Sequence, residues 1–308
     1  MGARAAADGR SPPTPEHFYG GQAVIEGVMM RGRDHWAIAV RRPDQTVHLE
    51  SHDIDSVVRR FPFLGRPGLR GVIALGQAVS IGVRALSISA NQSVRDEERL
   101  TARQMAISVA VASVLFVSVF VVGPYLGLRL LRSEIPSSFI RNVLEGVGRV
   151  GLFLAYLTLI GRMKEIRRVF QYHGAEHKTI AAFERGDRLE PQAVDRYSTL
   201  HVRCGTNFLL LVMVLTILVY AAFGSRGLVW GILLRVLAVP VIAGLSYELL
   251  RLGARHPDAR FMRAIMAPGL WLQKITTRPP QLDQIDVAIA AFRELLRREG
   301  QPSIATSP

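Results

Sequence analysis

Four long runs of apolar residues constrain the fold of this chain more than any other feature of its sequence. The runs cover residues 105–122, 143–160, 208–223 and 228–250. Each approaches the length of about 17–25 residues with which a helix crosses the hydrocarbon core of a bilayer. Charged residues are few within them, although Glu145 and Arg149 interrupt the second run. The sequence therefore predicts a mainly α-helical, polytopic membrane protein with about four transmembrane helices.

The distribution of charge indicates which partners the chain has. The 308 residues carry a net charge of +13, and much of the arginine lies beside the apolar runs, where it suits anionic lipid head groups. No basic stretch is interleaved with aromatic residues as in known nucleic-acid-binding modules, so the lipid bilayer is predicted as a partner and nucleic acid is not. Cys204 is the only cysteine, which excludes a disulfide within the chain.

Lysine and arginine also predict the orientation of the helices. Basic residues cluster directly after the second and fourth runs: Arg162, Lys164, Arg167 and Arg168 after the former, and Arg251, Arg255, Arg260 and Arg263 after the latter. The positive-inside rule then places both termini and the segment 161–206 in the cytoplasm, as in a multi-pass protein of the cytoplasmic (inner) membrane. Arg235 lies near the outer end of the fourth run, and we expect its long side chain to extend to the head groups.

The sequence before the first run divides into three segments. Residues 1–17 are predicted to be a disordered tail because they are rich in Ala, Gly, Pro and Ser. Residues 18–68 are predicted to be a small cytoplasmic β-rich segment, with strands on either side of a Pro-Asp turn and a Gly-bounded stretch as a third. Residues 69–104 are predicted to be an interfacial or re-entrant helical segment. Residues 71–90 within it are apolar but contain Arg84 and many small residues, which favours this placement over a fifth span.

The membrane domain is predicted over residues 105–250, and a cytoplasmic C-terminal segment over residues 251–308. Within the latter, apolar residues recur at helical spacing, at Ile285, Ala288, Ile289, Phe292, Leu295 and Leu296. This pattern predicts an amphipathic helix that packs against the N-terminal strands.

The segment between the second and third runs carries the residue types of a metal site. It contains the sequence Tyr172-His173-Gly174-Ala175-Glu176-His177-Lys178. Histidines four residues apart lie one turn apart on a helix, so both imidazoles reach the same ion. The pattern H-x-x-E-H is the inverted form of a zinc-protease motif, in which the glutamate acts as a base. The sequence therefore predicts His173 and His177 as metal ligands and Glu176 as the catalytic residue.

A second group of ligand-type residues stands just before the third run. His201 and Cys204 are three residues apart, and neutral imidazole with thiolate suits zinc or iron. They share one cytoplasmic segment with the first group, so we expect all four residues to meet at one divalent metal, with Zn²⁺ the expected ion. The alternative interpretation is a structural network of polar groups at the membrane surface, in which Cys204 is a small packed residue.

Two further glutamates are candidate accessory residues. Glu248 lies about one turn inside the cytoplasmic end of the fourth run, where an acid has a partner or a function. Its partner is Arg251 on the simpler interpretation, and His201 or the metal on the functional one. Glu26, flanked by Gly-rich apolar sequence, is a candidate of the same kind.

Several strings in this order resemble the YqhQ-like family of bacterial membrane proteins. They are residues 20–28, 172–178, 201–205, 246–248, 268–277 and 287–290. The family is of uncharacterised function and is sometimes described as predicted metal-dependent enzymes. The resemblance extends from about Tyr19 to Leu296, and it implies that the His, Glu and Cys positions belong together.

Two classes of function are compatible with these residues. The first is a membrane-bound metal-dependent hydrolase that acts on a peptide or a lipid-linked substrate at the cytoplasmic face, with Glu176 taking a proton from a metal-bound water. The second is a non-catalytic membrane scaffold or transport component with a structural His, Glu and Cys cluster. Because four spans with few internal charges make a poor ion path, transport would require a homo-oligomer.

Overall fold

The structure, a computed structural model, describes residues 19–55, 57–66, 68–130, 134–135, 137–201, 204–222, 227–255 and 260–301. The predicted disordered tail lies outside the described residues. A small antiparallel sheet comes first and a series of helices follows, four of them long and apolar enough to cross a membrane. This confirms the predicted fold class.

The N-terminal segment forms a four-stranded antiparallel sheet whose strands are neighbours in sequence order. The strands are β1 (Gly20–Val24), β2 (Gly27–Arg31), β3 (His35–Arg41) and β4 (Val47–Asp53). The predicted Pro-Asp turn connects β3 with β4. The Gly-bounded stretch forms two strands rather than one, because the chain reverses at Glu26, which has a φ of 52° and thus takes the left-handed conformation of tight turns.

Helices follow the sheet, joined by short turns. They are α1 (Val57–Arg60), α2 (Leu69–Gln92), α3 (Ala102–Val117), α4 (Gly123–Leu130), α5 (Ser138–Ile160), α6 (Lys164–Glu184), α7 (Pro191–Val194), α8 (Gly205–Ala221), α9 (Leu228–Arg255), α10 (Arg260–Thr276) and α11 (Leu282–Arg298). A π-helical turn, Ser118–Val122, joins α3 to α4, and 3-10 turns lie at Pro62–Gly65 and Asp96–Glu98.

The sheet is covered by helices on both faces. Helices α6 and α11 pack on one face, where Val28, Met30 and Ala39 of the strands join the main apolar core. All six apolar residues of the predicted amphipathic helix are buried in that core as part of α11. The predicted packing of this helix against the strands is therefore confirmed.

Among the described residues, four helical stretches are long and apolar enough to cross a membrane: Leu69–Gln92, Ala102–Leu130, Ser138–Ile160 and Leu228–Leu252. The last three contain predicted spans. The predicted span at 208–223 corresponds to α8, which is shorter, with 17 residues. By length and composition, α2 rather than α8 is the fourth helix that could cross a membrane.

Helix α2 is also bound to the sheet. Ile81 and Ala85 in its second half pack on the face of the sheet opposite α11, in a core cluster with Trp36. Gln77 accepts a hydrogen bond from Arg31 of β2 at 2.7 Å. These contacts join α2 to the sheet, and its interfacial or re-entrant placement stays a prediction.

A cluster of charged side chains is enclosed between α5 and α9. The Arg235 guanidinium donates to both oxygens of Glu145, at 2.9 and 2.6 Å, and Arg149 donates to the same carboxylate at 2.7 Å. Arg235 is only 2% exposed, so the expectation that it extends to the head groups is wrong. The physical reason is that the Glu145 carboxylate on α5 forms a direct ion pair with the buried guanidinium. This ion pair is more favourable than an interaction with a partly hydrated head group.

We expect two kinds of substitution in this cluster to lower the free energy of unfolding by different amounts. Glu145→Gln leaves two buried guanidinium groups without a carboxylate, and we expect a loss of about 3–5 kcal/mol in the free energy of unfolding, measured in mixed micelles. The triple variant Glu145→Leu, Arg149→Met, Arg235→Met removes every charge of the cluster, and we expect it to be more stable than the single variant. A Glu145→Gln variant as stable as the wild type would show that the three charged groups are not buried together.

Candidate metal centre

Helix α6 holds the two histidines of the H-x-x-E-H pattern on one face. His173 and His177 are one turn apart, and the centroids of their rings are separated by 4.4 Å. The helix is buried along this turn because it packs between the sheet and α11. The predicted juxtaposition of the two imidazoles is thus present on the described helix.

Cys204 completes a group of three ligand-type atoms. Its sulfur lies 3.2 Å from Nε2 of His173, and the ligand atoms of His173, His177 and Cys204 all lie within 4.8 Å of one another. In a tetrahedral zinc site with the usual bond lengths, neighbouring ligand atoms are about 3.5 Å apart. The three residues therefore need only small adjustments to bind one ion.

The start of α8 fixes the position of this sulfur. Cys204 is the N-cap of the helix, and its sulfur accepts hydrogen bonds from the backbone N–H and the hydroxyl of Thr206, at 3.5 and 3.3 Å. The N-terminal end of a helix favours negative charge, as a thiolate ligand requires.

Backbone carbonyl groups orient both imidazoles. Nδ1 of His173 donates to the carbonyl of Thr276 at 2.9 Å, and Nδ1 of His177 donates to the carbonyl of Thr199 at 2.5 Å. A carbonyl only accepts, so each Nδ1 carries the proton and each Nε2 presents its lone pair to the centre. Such outer contacts are typical of histidines that bind metal ions.

One atom of this group has no hydrogen-bond donor in the right geometry among the described residues. His177 is 1% exposed, and its buried Nε2 has the Cys204 thiol beside it without forming a hydrogen bond of normal geometry. Burial lowers the pKa of His177, so the ring is neutral at physiological pH and keeps this lone pair free. A buried, unsatisfied acceptor that faces a thiol and a second imidazole fits a metal ion.

Glu176 lies beside the group rather than in it. It is 5% exposed, packs against Gly21 of β1 and accepts a hydrogen bond from the Gly21 N–H, while its Oε2 has no partner in the described structure. Burial raises the pKa of Glu176 to about 7. Such a carboxylate exchanges a proton near neutral pH.

His201 is near the centre but has another partner. Its ring centroid lies 5.8 Å from that of His177, and its Nε2 approaches Glu184 at 3.3 Å. The backbone of His201 is held on both sides by Gln273, which donates to its carbonyl and accepts from its N–H, each at 2.9 Å. The predicted four-residue ligand set thus converges on three residues, with His201 beside them.

The two accessory glutamates form ion pairs elsewhere. Glu26 makes a two-pronged ion pair with Arg168 of α6. Glu248 pairs with Arg70 of α2, whose Nε donates at 2.6 Å, rather than with either of the partners expected from the sequence. Within the described chain, neither carboxylate is among the groups that converge on the centre.

Sequence reasoning missed the residues that support the centre. Thr199 and Thr276 contribute backbone carbonyls, which leave no signal in a sequence. Gln273 is fully buried on α10, and a buried glutamine in an otherwise apolar helical stretch is a signal that could have been used.

Comparisons with known proteins give a consistent result. The profile of a family described as a protein of unknown function, DUF1385, matches residues 66–298. A curated relative, the uncharacterized protein YqhQ of Bacillus subtilis (strain 168), is 33% identical over 300 residues, which cover 91% of this chain and 93% of the relative. No solved structure matches the chain.

The packing around Gly174 predicts a test of the site. A Cβ on Gly174 would lie 2.2 Å from the carbonyl oxygen of Arg278, in the segment that also supplies the carbonyl of Thr276. Although alanine favours a helix by about 1 kcal/mol, we expect Gly174→Ala to destabilise the protein by about 1–3 kcal/mol in thermal or chemical unfolding.

Gly148→Ala is the matched control, because a Cβ at this position of α5 meets nothing within 4 Å. We expect it to keep the stability of the wild type or to raise it by up to about 1 kcal/mol. If the two variants were equally stable, the close approach at Gly174 would be refuted.

Proposed function

We propose that this chain, which belongs to the DUF1385 family of proteins of unknown function, is a membrane-bound metal-dependent hydrolase. The membership confirms the resemblance to YqhQ-like proteins. The description of the family names no activity, so the proposal is based on the geometry of the candidate metal centre.

The unpartnered Nε2 of His177 is the observation that carries this proposal. A purely structural polar network would satisfy this buried atom with a donor, since an unsatisfied buried polar group costs about 1–3 kcal/mol. Instead the atom lies in a group with His173 and Cys204, in which carbonyl groups point both histidine lone pairs inward.

The number and type of ligands favour zinc in a catalytic rather than a structural role. Two neutral imidazoles and one thiolate form a set that zinc prefers. Three protein ligands leave a fourth position open, whereas structural zinc sites have four. A zinc ion held by these residues would lower the pKa of a bound water to about 7.

Glu176 is proposed as the proton acceptor. Its carboxylate is held by the Gly21 N–H, and the unpartnered Oε2 is available for a proton. Its burial on α6, in the residue before His177, keeps bulk water from competing for it. Cys204 rather than His201 is proposed as the third ligand, because His201 already faces Glu184.

The position of Cys204 supports an activity at the membrane surface. The apolar helix α8 begins directly after this residue, so the centre lies where the membrane domain meets the polar part of the chain. We propose that this surface is the cytoplasmic face of the inner membrane, because Lys and Arg flank the adjoining helix ends. A peptide or a lipid-linked molecule would approach the centre there.

Metal analysis of the purified protein tests the proposal. We expect about one zinc per wild-type chain in detergent, measured by mass spectrometry of the elements, and a loss of most of it in His177→Ala and Cys204→Ser. His48→Ala is the matched control, since this histidine lies on β4 and not in the ligand group, and we expect it to retain the metal.

Glu176→Gln separates an enzyme from a scaffold. We expect it to retain zinc and to fail to complement a strain that lacks the gene, because the amide cannot accept the proton. Retention of both zinc and complementation would favour a structural cluster in a scaffold instead. A well-folded wild-type protein without metal would refute the hydrolase.

The proposed orientation has a separate test. In a Cys204→Ser background, Gln301→Cys places the only thiol just after α11. We expect a membrane-impermeant maleimide to label it in permeabilised cells and not in intact ones, and labelling of intact cells would reverse the orientation.

A further inference from the structure

A groove of about 720 Å³ lies between α2 and α3, far in the sequence from the metal centre. Its apolar wall is formed by Val83 and Ile88 of α2 and by Met105, Ala106, Val109 and Ala110 of α3. Glu50 of β4 lines it on the side of the sheet.

The face of α3 that borders this groove consists of small residues. Ala102, Ala106 and Ala110 are four residues apart, so they form one stripe along the helix. Such a stripe allows another element to approach closely. Helix α2 packs instead on α9 and on the sheet, so the stripe faces the groove.

The groove is continuous with a surface that lipid covers. Helix α3 belongs to the candidate span Ala102–Leu130, which is the least buried of the four. Only 6% of its most apolar stretch is buried inside the protein. Ile107 and Val111 on the same helix are each 53% exposed. An apolar groove open to this surface is filled by hydrocarbon in a bilayer, because water there would cost the free energy of hydrating apolar walls.

One end of the groove is polar, with Glu50 in its lining and Arg42 bonded to the lining residue Gln92. The side chain of Asn91 closes it by bonding to the N–H and the carbonyl of Leu100, at 2.9 and 3.1 Å. Arg42 donates to Gln92, another lining residue, at 2.8 Å. Glu50 supplies a carboxylate on the same wall, between His48 and His52 of the strand.

We propose that this groove binds one acyl chain of a zwitterionic phospholipid of the phosphatidylethanolamine type. The acyl chain lies along the alanine stripe, the phosphate lies at the polar end where Arg42 is bonded to Gln92, and the ammonium group faces Glu50. The proposal goes beyond the proposed hydrolase and is independent of it, because no residue of the metal centre lines the groove.

Native mass spectrometry of the full chain tests this proposal. The protein is released from nanodiscs that contain equal amounts of phosphatidylethanolamine and phosphatidylglycerol, and the lipid that it retains is counted. We expect one phosphatidylethanolamine per chain, preferred about fivefold over phosphatidylglycerol, which is the effect of one partly exposed ion pair. Glu50→Gln should abolish the preference and retain the lipid.

Ala106→Phe places a ring in the groove and should remove the retained lipid, whereas Ala112→Phe, on an exposed face of α3 that does not line the groove, should not. The proposal is overturned if the wild type retains no phospholipid, if it prefers phosphatidylglycerol, or if both phenylalanine variants retain equal amounts. The lipid retained by the wild type tests the proposal even if a variant fails to fold. We expect every folded variant to have the zinc content of the wild type, because no residue of the metal centre is changed.

Discussion

The rest of the site depends on the absence of a Cβ atom at Gly174. Because a Cβ there would meet the carbonyl oxygen of Arg278 at 2.2 Å, the segment after α10 can cross α6 at this residue only if it is glycine. That crossing brings the carbonyl of Thr276 to His173 and sets the orientation of its ring. On the other side, Lys178 binds the carboxylate of Asp195 at 2.7 Å and holds the chain that presents Thr199 to His177.

The membrane helices contribute position rather than chemistry. Cys204 caps α8, so the start of this apolar helix also fixes the position of the sulfur of the centre. Gln273 of α10 holds the backbone of His201 just before it. Further along the bundle, the carboxylate of Glu145 joins α5 to Arg235 of α9, which keeps the helices in one arrangement. The apolar helices and the candidate metal centre are therefore joined directly, through Cys204 at the start of α8 and Gln273 of α10.

Periodic features could be predicted from the sequence, and unique contacts could not. The apolar stripe of α11 and the one-turn spacing of His173 and His177 follow from the helical repeat, so both were predicted correctly. The partners of Arg235 and Glu248 lie on helices distant in sequence, and nothing in the local pattern shows which helices become neighbours. The length of α8 depends on where this helix begins and ends. The position of Cys204 beside the two histidines, with His201 farther away, depends on which segments cross α6.

Two imidazoles and one thiolate are proposed to bind one zinc ion and to leave a fourth position open. X-ray absorption at the zinc edge of the purified protein tests this proposal directly. We expect one sulfur at about 2.3 Å and a shell of nitrogen and oxygen at about 2.0–2.1 Å that includes two imidazoles. A spectrum without sulfur, with several sulfurs, or with no stoichiometric zinc to measure would contradict the account.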